Sequence, residues 1–109
     1  MNQRRFPSAV ALALGMALAA GAQANGDAVA GKEKFDTCTG CHGIPGYHNV
    51  YPTYRVPKVA GQNAAYIVAA LNGYKNGSRP HKTMQSQAVS LSDGDIADIA
   101  AYLAGLGQR

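Results

Sequence analysis

Apolar residues recur at helical spacing in three stretches of this chain and at no regular spacing in two long ones. Across residues 26–36, Ala28, Gly31 and Phe35 fall at i, i+3 and i+7, one face of a helix. A second helix is predicted over residues 62–76, where Ala64, Ile67, Val68, Leu71 and Tyr74 form one apolar stripe and Gly77 ends it. A third follows Ser92-Asp93-Gly94-Asp95, which pairs an N-cap serine with an acidic residue three positions on, a variant of the capping box. Ile96, Ile99, Ala100 and Leu103 carry its stripe, and Gly105 is its stop. Residues 43–61 hold three Pro, three Gly and three Tyr without periodicity, and residues 77–91 are equally irregular. The pattern predicts an all-α domain of three main helices and two long loops, with no convincing strand. Loops of such length in a small domain need something to lie against.

The start of the chain follows another logic. Asn2-Gln3-Arg4-Arg5 is a short positive segment, residues 9–20 are a small-residue apolar run, and Ala22-Gln23-Ala24 is an A-x-A site. This is the layout of a secretory signal peptide, too short for an ordinary membrane span. Residues 1–24 are expected to be removed after Ala24, leaving residues 25–109 as one domain; an uncleaved anchor is the alternative. Those 85 residues are near the size at which a polypeptide core alone is marginal.

Charge and composition then exclude some classes. The full chain is formally +4, but without Arg4 and Arg5 eight basic side chains face six acidic ones. The high isoelectric point thus belongs partly to the leader and gives no reason to expect nucleic acid. No internal repeat or second apolar span follows.

The chain's two cysteines both lie in Cys38-Thr39-Gly40-Cys41-His42. C-x-x-C-H is the attachment pattern of a c-type haem: two thiols reach the two vinyl groups of one porphyrin, and the following His sits under the iron. A covalent porphyrin would also supply the missing apolar centre. Three other readings compete. A zinc site would need two more ligands from His48 and His81, at spacings that match no common pattern. A thioredoxin-like dithiol needs a βαβ context, and a disulfide across two residues would stabilise little.

With His42 on one face of the iron, the other axial ligand decides the chemistry. Met84 is the one methionine outside residues 1–24, flanked by polar Thr83 and Gln85 in an irregular stretch where a lone Met has little reason to pack. Its thioether is a good ligand that raises the reduction potential. His81 and His48 are rival ligands that would lower it, and an open sixth position would suit a sensor or peroxidase.

At this point the chain resembles a class I cytochrome c over essentially all of residues 25–109. The resemblance is carried by Gly31-Lys32-Glu33-Lys34-Phe35, by the Cys38–His42 motif with Gly43, and by Pro57-Lys58-Val59-Ala60-Gly61-Gln62. Met84 and the stretch Leu91-Ser92-Asp93-Gly94-Asp95-Ile96-Ala97-Asp98-Ile99-Ala100-Ala101-Tyr102-Leu103 complete it. The segment over residues 57–62 and the one that begins at Leu91 are most similar to one half of the bacterial two-haem "c-four" group. The resemblance implies thioethers at Cys38 and Cys41, His42 as proximal and Met84 as distal ligand, and the Pro57 carbonyl accepting the His42 Nδ1 hydrogen. It also implies that the first and last helices cross, with Gly31 and Phe35 against Tyr102. Two departures matter. A single C-x-x-C-H means one haem, and the absence of Trp leaves Tyr51, Tyr54 or Arg55 as candidate donors to a propionate.

The expected function is single-electron transfer in the periplasm through one covalent haem c and its iron, without enzymatic activity of its own. Donor and acceptor would be periplasmic or membrane-bound redox proteins, with membrane contact only through a partner, no nucleic acid, and a monomeric carrier. Lys58, Lys75, Arg79 and Lys82 are candidates to steer an acidic partner. The alternatives are a haem sensor or small-ligand binder with a labile distal residue, and an electron-entry subunit of a larger oxidoreductase.

Overall fold

A computed structural model describes residues 26–108. The leader, its cleavage site at Ala24, Met1 and Met16 lie outside the described residues. Helix α1 spans Ala28–Phe35, and its first turn is capped by Asp27, whose carboxylate accepts from the Val29 and Ala30 amides. The chain continues through a 3-10 turn, Asp36–Cys38, into the single-turn helix α2, Thr39–His42. Helix α3 is Ala64–Asn76, with Asn63 as N-cap and Gly77 as its left-handed stop. Helix α5 is Asp93–Gly105, and a 3-10 turn, Leu106–Gln108, follows it. At Ser92 the capping box is complete in both directions: Ser92 Oγ accepts from the Asp95 amide at 3.0 Å, and Asp95 Oδ2 accepts from the Ser92 amide at 2.9 Å.

The three main helices thus stand where the apolar spacing puts them, but the two loops carry more order than expected. Within residues 43–61, strand β1 (His48–Val50) pairs antiparallel with β2 (Thr53–Arg55), Asn49 opposite Tyr54. The expectation of no strands is corrected here. Three residues per strand are too few for a period of two to register, and Pro52 in the turn points away from a strand. Within residues 77–91, Lys82–Ala88 form helix α4. Met84 therefore sits on a helix, not in a loop. The sequence KTMQSQA has almost no apolar stripe, and its N-cap is His81, outside the usual Ser, Thr, Asp and Asn set.

The core is small. Phe35, Ile67, Ile99, Ala100 and Leu103 form one buried cluster, to which α1, α3 and α5 all contribute. It depends on α1 and α5 crossing closely. Gly31 is buried, and a Cβ there would collide with the Asp98 carbonyl and lie 2.9 Å from Tyr102 Cβ. Glycine costs a helix about 1 kcal/mol relative to alanine; here the close approach requires it. Beside it the Phe35 and Tyr102 rings meet at 5.9 Å. The expected crossing of the first and last helices is present with the expected residues.

Polar contacts lock the same crossing. Asp98 accepts from the Asp27 amide at 2.8 Å and from Lys34 Nζ at 2.6 Å, and Lys34 also meets Asp95 at 2.8 Å. Lys34 holds the Asp95 carboxyl at about 2, helped by the Ser92 cap, and holds Asp98 below the usual carboxylate range. The two carboxylates in turn push Lys34 up to about 12.

Two measurements test the crossing. Gly31→Ala should lower the unfolding free energy by about 1–3 kcal/mol, as overpacking does; an unchanged urea midpoint would mean that the helices separate at no cost. The lowered carboxylate of Asp95 makes its contribution present above its ordinary value of 3.8 and lost as pH falls through about 2. Lys34→Met should therefore flatten the acid limb of the stability curve between those values, as followed by circular dichroism.

Candidate functional site

The motif residues occupy one short run of helix. Cys38 and His42 stand at i and i+4, and Cys41 lies three residues after Cys38, so all three fall on one side of the turn formed by Asp36–Cys38 and Thr39–His42. Thr39 Oγ1 donates to the Asp36 carbonyl at 2.6 Å and ties the two parts of that run together. Cys38 is half-buried against the core cluster, whereas Cys41 is exposed. Burial pushes the Cys38 thiol up, only partly offset by the Thr37 hydroxyl beside it. Both cysteines are free thiols, so the disulfide alternative is not realised.

His42 is oriented from across the chain. Its Nδ1 donates to the Pro57 carbonyl at 2.8 Å. A carbonyl can only accept, so the hydrogen is on Nδ1, and in the neutral ring the lone pair is on Nε2. That is the tautomer a metal-ligating imidazole needs, with its other nitrogen fixed by a carbonyl. Pro57 is held in turn by the segment that follows it: the Gly61 amide donates to the Leu103 carbonyl on α5 at 2.8 Å. Gly61 has φ +81, and its backbone meets that of Gly107, an approach that leaves little space for a side chain.

His81 has the opposite tautomer. Its Nδ1 accepts from the Met84 amide at 3.3 Å, which puts the hydrogen of the neutral ring on Nε2. In that state the His81 lone pair is on Nδ1, where the Met84 amide engages it. His48 begins the exposed hairpin strand β1, opposite Arg55. Met84 is half-buried on the first turn of α4. Among the described residues no three His, Cys, Asp or Glu side chains gather as a metal cluster, so zinc gains no support. The one sheet described is a hairpin, not the βαβ unit of a thioredoxin-like dithiol.

The other candidates divide. The Tyr54 hydroxyl donates to Thr83 Oγ1 at 3.0 Å, which commits it to α4, while Tyr51 is 93 % exposed. Of the four basic residues, Lys75 donates to the Leu91 carbonyl at 2.5 Å. Arg79 lies over the Tyr66 and Tyr74 rings at 5.7 and 5.0 Å and donates to the Tyr66 hydroxyl. Lys58 and Lys82 are exposed. Sequence reasoning missed that His81 caps the helix of Met84, because a histidine N-cap leaves no recognisable signal.

These residues fit a covalent haem. Two free thiols on one side of a helical turn, one half-buried at the edge of the apolar core, adjoin an imidazole already turned to ligate through Nε2. A porphyrin tethered at Cys38 is thereby anchored where the polypeptide's own core is small.

Comparison with known proteins agrees with that chemistry. Residues 28–107 match the cytochrome c family. Cytochrome c4 of Pseudomonas aeruginosa is 41 % identical over 95 residues, covering 87 % of this chain and 46 % of its own. Cytochrome c-554(548) of Halomonas halodenitrificans is 44 % identical over 80 residues, covering 71 % of this chain and 93 % of its own. A protein of Stutzerimonas stutzeri named thiosulfate dehydrogenase electron acceptor is 36 % identical over 75 residues, covering 66 % of this chain and 33 % of its own. The chain spans about half the length of the cytochromes c4 it matches. With the C-x-x-C-H motif inside the matched residues and its histidine set for ligation, the chain belongs to the cytochrome c family, and its cofactor is haem c bound through Cys38 and Cys41.

Proposed function

We propose that this protein is a one-electron carrier in which His42 and Met84 are the two axial ligands of a single haem c. The contrast between its two site histidines carries the reading: His42 presents a lone pair at Nε2 and His81 does not. Met84 is then the thioether available on the distal side. The bound haem supplies the Fe(III)/Fe(II) couple.

What the chain contributes is orientation and constancy. The Pro57 carbonyl holds the His42 ring and raises its basicity. Helix α4 gives Met84 a fixed backbone, so both ligands can stay in place in either oxidation state. Little rearrangement accompanies the transfer, and nothing in this role requires catalysis by the protein itself.

Export under residues 1–24, with cleavage after Ala24, would deliver residues 25–109 to the periplasm as a monomeric carrier. The relative named as an electron acceptor of a dehydrogenase supports a protein oxidoreductase as the partner. Exposed Lys58 and Lys82 suit a partner with an acidic face.

The oxidised protein should show a sulfur-to-iron charge-transfer band in the far red. Met84→Ala should abolish it and lower the potential, within the roughly 0.8 V that axial ligation spans; a wild-type protein without the band would sink the Met84 assignment. Steering predicts that Lys58→Glu with Lys82→Glu slows electron exchange with an acidic partner by about tenfold at low salt. A rate insensitive to both salt and charge reversal would remove that role.

A further inference from the structure

Helix α4 is only seven residues long and nearly without an apolar stripe, yet it must hold Met84 in place. Short isolated helices are marginal in water, so its stability has to come from contacts at its ends. At the C-terminal end Ala88 is buried; the contacts at the start centre on one residue. His81 adopts an extended backbone at the N-cap, and its Nδ1 accepts the Met84 amide hydrogen at 3.3 Å. The His81 ring meets Tyr54 edge-on at 4.8 Å and Tyr74 edge-on at 6.0 Å. Tyr54 comes from the hairpin, and its hydroxyl also donates to Thr83 at the adjacent position of the same first turn. Tyr74 comes from α3 and lies under the Arg79 guanidinium, which reaches on to Tyr66. The first turn of α4 is thus tied to two separate elements, to α3 through the imidazole and to the hairpin through the imidazole and Thr83.

We infer that His81 is a positioning residue for Met84: it caps the helix that carries the methionine and, held between Tyr54 and Tyr74, keeps the thioether in place against competing ligands. This rests on Met84 as the distal ligand. His81 acts through Met84, with its Nδ1 engaged by the Met84 amide. The same contacts give the hairpin a purpose, since β2 is what presents Tyr54.

The test uses the ferric holoprotein and imidazole as the competing ligand, with wild type, His81→Ala and His81→Asn compared. Asn is a good N-cap and Ala is a poor one. Loss of a cap is worth about 1 kcal/mol, or about fivefold in a binding constant. His81→Ala should therefore bind imidazole about fivefold more tightly, and its far-red band should bleach at a lower temperature with no ligand added. His81→Asn should restore both. The thermal readout separates loosened Met84 from easier access for the added ligand. Wild-type behaviour in His81→Ala, or an Asn variant as labile as the Ala one, would overturn the inference. If His81→Ala does not accumulate with haem, His81→Gln replaces it, since Gln is outside the good capping set. Absence of the band in wild type is a different failure, that of Met84 as ligand, and is read before any variant.

Discussion

The close crossing of α1 and α5 governs the rest of the molecule. Gly31 lets the two backbones touch, and Lys34, Asp95, Asp98 and Asp27 hold them at that distance. The helical run with Cys38, Cys41 and His42 continues directly from α1. The segment with Pro57 hangs from α5 through Gly61 and Leu103. The 2.8 Å bond between His42 and Pro57 therefore joins two bodies whose separation the crossing sets. An imidazole orientation that would otherwise need its own scaffold follows from the way two helices meet.

The same polar atoms acquire opposite chemistry from their partners. Both His42 and His81 use Nδ1, one to donate to a carbonyl and the other to accept from an amide. Each local partner fixes which nitrogen carries the hydrogen of the neutral ring. Spacing marked His42 through the haem motif, and the resemblance named its Pro57 partner; what was not legible is the amide that occupies His81, because it lies inside a helix with no visible start.

Legibility followed the strength of the physical signal. The three apolar stripes, the Ser92 capping box, the Gly77 stop and the haem motif were all readable, since each is encoded in residue types at fixed offsets. The hairpin and α4 were not. Both span too few repeats of their period for it to show, and both draw order from Tyr54, Tyr74 and His81, contacts that exist only in the folded chain. The basic residues were half legible: charge was plain, but Lys75 and Arg79 proved to be occupied with a carbonyl and two aromatic rings.

The link from Gly61 to Leu103 sets an order in time. The motif lies near the start of the domain, but the segment whose carbonyl aims its histidine is tied to the last helix. A chain emerging from its N-terminal end exposes both thiols long before His42 has a fixed direction. Attachment and ligation are thereby separable events: the cysteines are reachable in the unfolded polypeptide, while the imidazole acquires its geometry only when contacts most of a domain apart have closed.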